Sequence, residues 1–189
     1  MEKVSNLWEM LEASAGNFSG SVALQARRGG EWRRFTYEEL LSASRSFASH
    51  LQAMGVRPGD RIGLLSENSP YWGMAFFGTL GAGAIVVPLD AGLKPQEMRF
   101  VLEDSAVSHL VCSERFLSPA REIGISGLTL AEEIPGLPPA PGFRPDPPHR
   151  PPPASSSRQL RHPPLRGDPR RVRPPCARVG GGGRRPDGQ

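Results

Sequence analysis

Three short apolar runs, "RIGLL" at 61–65, "AIVVPL" at 84–89 and "HLVC" at 109–112, are separated by two stretches of about three helical turns. Runs of four to six residues rich in Ile, Val and Leu have the length of strands, and their lack of polar alternation is that of strands buried on both faces. A helix between two strands returns the chain to the edge where the first strand began, so the strands lie parallel. The order β-α-β-α-β from Arg61 to Cys112 therefore predicts right-handed crossovers and an α/β fold whose parallel sheet is covered on both sides.

The connecting segments carry their own stops and starts. Ser69 is placed to cap a helix and Pro70 to occupy its first position, where the missing amide is no loss. That helix carries Trp72, Phe76, Phe77 and Leu80, and Gly73, Gly78 and Gly81 are expected to let the sheet approach closely, at a cost in helix propensity. Another helix is expected from Pro95, with Met98, Val101 and Leu102 on its apolar side. "FLSPAREI" and "GLTLAEEI" give weaker elements.

Ahead of this unit, Leu7, Trp8, Met10 and Leu11 predict a short amphipathic helix. "SVALQARRGGEWRRFTY" predicts a hairpin turning at Gly29-Gly30, with Val22, Leu24 and Ala26 alternating toward one face. Thr36 and Glu39 have the spacing of a capping box, and the helix they open runs to about Met54 through Leu40, Ala43, Phe47 and Leu51. "GVRPGD" closes it with a glycine and a Pro58-Gly59 turn.

Charge divides the chain. Residues 1–134 hold 12 basic and 16 acidic groups, a net of −4, whereas residues 135–189 hold 11 arginines and 3 aspartates, a net of +8. The second part also has 16 of the 21 prolines and no Ile, Met, Trp or Tyr, too few bulky apolar groups to offset the entropy of ordering it. Two domains are expected on this basis: an α/β unit at 1–134 and a disordered Pro/Arg-rich tail at 135–189. The tail lacks aromatic interleaving and any helix to enter a groove, so specific nucleic-acid binding is not expected. Nothing reaches the length of an apolar membrane span, "MEKVSNLWEMLEAS" does not read as a signal peptide, and Cys112 and Cys176 fit no disulfide or metal spacing. The expected setting is cytoplasmic.

Groups able to do chemistry are few. His50 falls near the end of a helix and reads as a surface or partly buried residue. His109 and Cys112 lie three apart on one strand, hence on opposite faces, so they cannot form a nucleophilic pair. Glu67 and Asn68 follow one strand and Asp90 another, where parallel-sheet proteins place functional groups, although caps and turns use the same residue types. In "GTLGAGA" the glycines end a helix and precede a strand, the reverse of a phosphate-binding loop. No residue is assigned a catalytic, cofactor-binding or metal-binding role.

"TYEEL", "GVRPGDRIGLLSEN", the following Trp72, "GAGAIVVPLD" and "LEDS" together resemble the opening part of the AMP-forming acyl-CoA synthetase family, over about Leu7 to Glu133. The resemblance implies a partial three-layer parallel-sheet unit of the adenylate-forming synthetase fold. It also implies the parent chemistry: ATP and Mg activate a carboxylic acid such as a fatty acid to an acyl-adenylate, and coenzyme A accepts the acyl group. The family's Ser/Thr/Gly-rich phosphate loop with its lysine, its threonine-glutamate pair, ribose-binding aspartate and catalytic lysine are not found in this sequence. No cofactor is therefore expected for these 189 residues, and the expected function is that of an inactive fragment of such a ligase, with exposed apolar surface and low stability. The alternative is a noncatalytic interaction protein built from an α/β scaffold and a flexible basic tail.

The genetic code bears on the junction. "RHPPLRGDPR", Arg161 to Arg170, can be written CGC CAT CCT CCT CTA CGC GGG GAC CCC CGG, and one base later the same bases read Ala-Ile-Leu-Leu-Tyr-Ala-Gly-Thr-Pro. That string resembles the strand and phosphate loop missing from the protein, one residue short of the family's spacing. A change of reading frame between about Pro135 and Pro153 is expected from it.

Overall fold

The computed structural model of the protein describes residues 4–125, 127–140 and 142–146. The expectations for the tail beyond residue 146, including the altered frame, lie outside the described residues.

The chain begins with helix α1 (Leu7–Phe18), a hairpin of β1 (Val22–Arg28) and β2 (Glu31–Thr36), and helix α2 (Tyr37–Ala53). Strand β3 (Arg61–Leu65), helix α3 (Pro70–Gly81), strand β4 (Ile85–Pro88), helix α4 (Pro95–Asp104) and strand β5 (His109–Cys112) follow in the order that the apolar runs predict. A short 3-10 turn leads into α5 (Leu117–Ile123), then strand β6 (Gly127–Leu130) and a final 3-10 segment at Ala131–Gly136.

Strands β3 to β6 form one parallel sheet in the order β4-β3-β5-β6, and the hairpin is a separate two-stranded sheet. The handedness rule explains where the helices go. From β3 to β4 the chain moves one way along the sheet, and from β4 over β3 to β5 it moves the other way. Crossovers of one hand in opposite directions must pass over opposite faces. Accordingly α3 packs with α1 and α2 on Ile62, Leu64 and Val111, while α4 and α5 pack on Leu65, Leu110 and Cys112. The result is three layers, helix-sheet-helix.

Local signals operate as elementary capping chemistry requires. Thr36 Oγ1 accepts from the Glu39 amide at 3.2 Å and Glu39 Oε2 accepts from the Thr36 amide at 2.8 Å, which starts α2. Ser69 caps α3, with Pro70 at its first position. Gly29 and Gly30, with φ of +60° and +88°, make the hairpin turn that needs positive φ at both central residues.

Three expectations are corrected. Strand β4 lies at the edge of the sheet with Ile85 and Pro88 exposed and Val86 and Val87 half-buried, so "AIVVPL" is not covered on both faces as its apolar run suggests. In β1 the register slips between Val22 and Leu24, so Val22 faces solvent while Ala23 and Leu24 both pack inward. A bulge inserts one residue and cancels the two-residue alternation. The glycines of α3 do not serve the sheet: a Cβ at Gly73 would meet Leu24 of the hairpin, at Gly78 Phe47 and the Ser44 carbonyl of α2, and at Gly81 the Trp8 ring of α1. Close packing on that face is between α3 and the elements outside it.

Past residue 134 the chain still touches the core. Leu137 and Phe143 pack against the larger apolar cluster, the Phe143 and Trp8 rings meet edge to face at 5.8 Å, and Asp146 accepts from the Gln52 side-chain amide at 2.9 Å.

Candidate functional site at the carboxyl edge of the sheet

In a parallel sheet, ligands lie beyond the carboxyl ends of strands where consecutive crossovers diverge. That point falls between β3 and β5, because α3 leaves β3 over one face and α5 follows β5 over the other. Two loops meet there. Ser66, Glu67 and Asn68 continue β3, and Ser113 continues β5, with its amide donating to the Leu65 carbonyl at 3.1 Å.

Across this gap the Ser113 hydroxyl donates to Glu67 Oε2 at 2.5 Å. That hydrogen bond holds the Glu67 carboxyl below the usual carboxylate range; partial burial opposes it, and the guanidinium groups of Arg115 and Arg28 assist it. Glu132 joins from the last 3-10 segment, its Oε2 accepting from the Glu114 amide at 3.2 Å. A cavity of about 190 Å³ opens beside these groups, with Arg28, Arg33 and Tyr71 on its far wall. Arg33 Nη1 donates to the Tyr71 hydroxyl at 2.8 Å. Glu67 thus meets its partner through tertiary structure, and both carboxylates at the gap already accept hydrogen bonds from the protein.

The other residues considered from sequence are scattered. Asn68 is exposed beside Glu67, and Asp90 Oδ1 accepts from the Gly92 amide at 2.8 Å, a side-chain turn after β4. His50 stacks on Phe47 in the last turns of α2, with ring centroids 6.5 Å apart. His109 is buried at the opposite, amino edge of the sheet, where Nε2 lies 2.8 Å from Thr129 Oγ1. Burial, with the charge of His50 adding to it, lowers its pKa to about 4, so the imidazole is neutral at pH 7. Cys112 faces the α4 and α5 side, and burial pushes its thiol up to about 11, the reverse of an activated nucleophile. In "GTLGAGA" the glycines close α3 and turn into β4, with Gly83 at φ +70°.

Sequence reasoning missed Ser113 and Glu132. Ser113 carried a usable signal, since it directly follows "HLVC" as Glu67 follows "RIGLL" and Ser66. Glu132 had none, because its segment reaches the gap only through the pairing of β6 with β5.

A larger cleft lies elsewhere. About 840 Å³ opens between α1, α3 and edge strand β4, lined by Leu7, Trp8, Phe76, Leu80, Ile85 and Val86 among others. Its wall is mostly apolar, so the groups able to do chemistry remain at the carboxyl edge. Among the described residues no cluster of three His, Cys, Asp or Glu side chains suits a metal ion, and no helix is long and apolar enough to cross a membrane.

Comparison with known proteins places this geometry among relatives. The sequence pattern of the family described as AMP-binding enzyme matches residues 11–154. The crotonobetaine/carnitine–CoA ligases of Salmonella typhimurium and Salmonella enteritidis are each 35% identical over 119 residues, 62% of this chain and 23% of theirs. Among solved structures, the anthranilate CoA ligase AuaEII in complex with anthranoyl-AMP superposes with a TM-score of 0.68 at 23% identity, over 79% of this chain and 30% of its own, a likeness of fold. A benzoate CoA ligase from Burkholderia xenovorans gives a TM-score of 0.62 at 26% identity, over 72% and 29%. The chain spans about a quarter of the length of the curated relatives it matches.

Proposed function

Because the chain belongs to the AMP-binding enzyme family, we propose that it is the opening portion of an ATP-dependent carboxylate–CoA ligase and that these 189 residues form no acyl-adenylate by themselves. The observation that carries this reading is the match over 11–154 to a family whose solved CoA ligases superpose on the same helix-sheet-helix unit. In the complete enzyme ATP, Mg and coenzyme A would serve the chemistry, with a fatty acid or related carboxylic acid as substrate, in a cytoplasmic setting.

The donor set in hand does not fit a magnesium–triphosphate group. Phosphoryl oxygens need converging amides, a cationic side chain and a metal held by carboxylates. Glu67 and Glu132 lie at the carboxyl edge, each with Oε2 accepting from Ser113 or Glu114, and among the described residues no third metal-ligating side chain joins them. Of the chain's two lysines, Lys3 lies outside the described residues and Lys94, at the start of α4, does not border the cavity beside Glu67 and Glu132.

We divide the chain functionally at 134/135, with a change of reading frame between about Pro135 and Pro153; sequencing the encoding DNA tests this directly, and a frame with no synthetase-like continuation refutes it. For the absence of activity, the purified 189-residue chain is incubated with ATP, Mg and a panel of carboxylic acids. No carboxylate-dependent pyrophosphate release is expected, and acyl-adenylate formation above a buffer control overturns the proposal. The reading as an interaction protein is favoured by one feature, the arginine-rich hairpin.

A further inference from the structure

The hairpin concentrates positive charge on a unit that is otherwise acidic. Residues 22–36 carry four arginines and one glutamate, a net of +3, and the rest of residues 1–134 carries 8 basic and 15 acidic groups, a net of −7. Such segregation orients a protein in the field of a charged surface.

Register assigns the side chains to faces. Leu24 pairs with Phe35 and Ala26 with Arg33, and this face turns inward: Leu24 and Phe35 join the core and Arg33 bonds Tyr71. The alternate pairs, Gln25 with Arg34 and Arg27 with Trp32, must then face solvent. Val22 shares that outer face with Thr36 beyond the bulge. Trp32 is 53% exposed and Val22 49%. The ion pair found among the described residues, Arg45 with Glu12, involves none of the hairpin arginines.

We propose that this outer face is a docking surface for an anionic lipid bilayer, with Trp32 entering the headgroup region and Arg27 and Arg34 meeting lipid phosphates. An indole is amphipathic and settles at the boundary between acyl chains and water, and guanidinium groups bind phosphate through paired donors. Cross-strand pairing holds Arg27 directly opposite Trp32, so the aromatic and one cation reach the surface together. A single-stranded polynucleotide fits less well, because Trp32 is the one aromatic side chain on this face and successive bases would find no second platform. Val22 adds an aliphatic contact that suits lipid. Arg27, whose Nε donates to the Gly30 carbonyl at 3.2 Å, also borders the carboxyl-edge cavity, whereas Val22, Trp32 and Arg34 do not, so lipid contact by Trp32 is read separately from the ligase reading.

The test uses the full chain with vesicles of phosphatidylserine, some carrying brominated acyl chains, and with phosphatidylcholine vesicles as control. Trp32 emission is isolated as the difference between the wild type and Trp32→Gln. Brominated phosphatidylserine vesicles are expected to quench it, phosphatidylcholine vesicles are not, and R27Q/R34Q raises the lipid needed by more than about ten-fold, since each arginine near an anionic surface is worth roughly five-fold. The charge-retaining pair R27K/R34K is expected to restore quenching, which separates lost charge from lost folding. Vesicle binding that leaves Trp32 unquenched assigns the contact to the basic tail and overturns the proposal. So does an unchanged R27Q/R34Q, or quenching by a single-stranded oligonucleotide where vesicles have no effect.

Discussion

The imidazole of His109 and the hydroxyl of Thr129 tie strands β5 and β6 together, Nε2 to Oγ1 at 2.8 Å, with both residues buried. The ring fits because residue 127 is glycine: a Cβ there would collide with Nδ1 of His109. The pair makes the amino edge of the sheet sensitive to protons. Its native pKa of about 4 lies below the ordinary 6.5, so the unfolded chain binds the extra proton first as pH falls. The contribution of the neutral ring is therefore complete above about pH 6.5 and is lost between there and pH 4, up to about 3 kcal/mol. Urea midpoints at pH 7 and pH 5 check this; His109→Gln should flatten the difference over that interval.

Two glycine-to-alanine substitutions should act in opposite directions. At Gly81 a Cβ would sit 2.6 Å from Trp8 Cζ3, in a ring that is 5% exposed and held edge to face against Phe143. Overpacking costs about 1–3 kcal/mol and exceeds the gain in helix propensity of about 1 kcal/mol. At Gly16, within α1, nothing lies within 4 Å, and alanine should stabilise by about 0.5–1 kcal/mol. Thermal or urea unfolding of the two variants reads both signs.

Thr36→Ala removes the acceptor for the Glu39 amide and its hydroxyl contact with the Glu39 carboxylate. The expected loss is about 1 kcal/mol. Thr36→Ser keeps the acceptor and should recover most of it, measured by the same unfolding curves.

Phe143→Ala tests whether the segment after residue 134 supports the fold. It removes the edge-to-face contact with Trp8 and should cost about 1–2 kcal/mol, given a side chain that is half-buried. Asp146→Ala, which loses only the Gln52 bond among its side-chain contacts, should cost less. Equal unfolding midpoints for Phe143→Ala and wild type would show that the contact contributes nothing.

Much of the framework was legible in local pattern. "RIGLL", "AIVVPL" and "HLVC" become β3, β4 and β5, and Ser69-Pro70 and Thr36-Glu39 start the helices they punctuate. Legibility failed where one residue changed the phase, as at the β1 bulge, or where an element was short, as with β6, whose four residues acquire strand form by pairing with β5. At the candidate site Glu67 was visible from its place after a strand. Its bond to Ser113 was not, because strand order is a property of the assembled sheet.

The sequence by itself determined the kind and succession of the elements, since apolar period, capping side chains and turn glycines act over a few residues. It also determined the charge contrast between the two parts of the chain. Only tertiary structure decided that β5 lies beside β3, which brings Ser113 to Glu67 across 46 positions and opens a gap between the two loops. It also decided that the glycines of α3 receive Trp8, Phe47 and Leu24. An apolar face states that it must be covered, and burial of that face is rewarded whatever covers it; shape and chain connectivity select the partner.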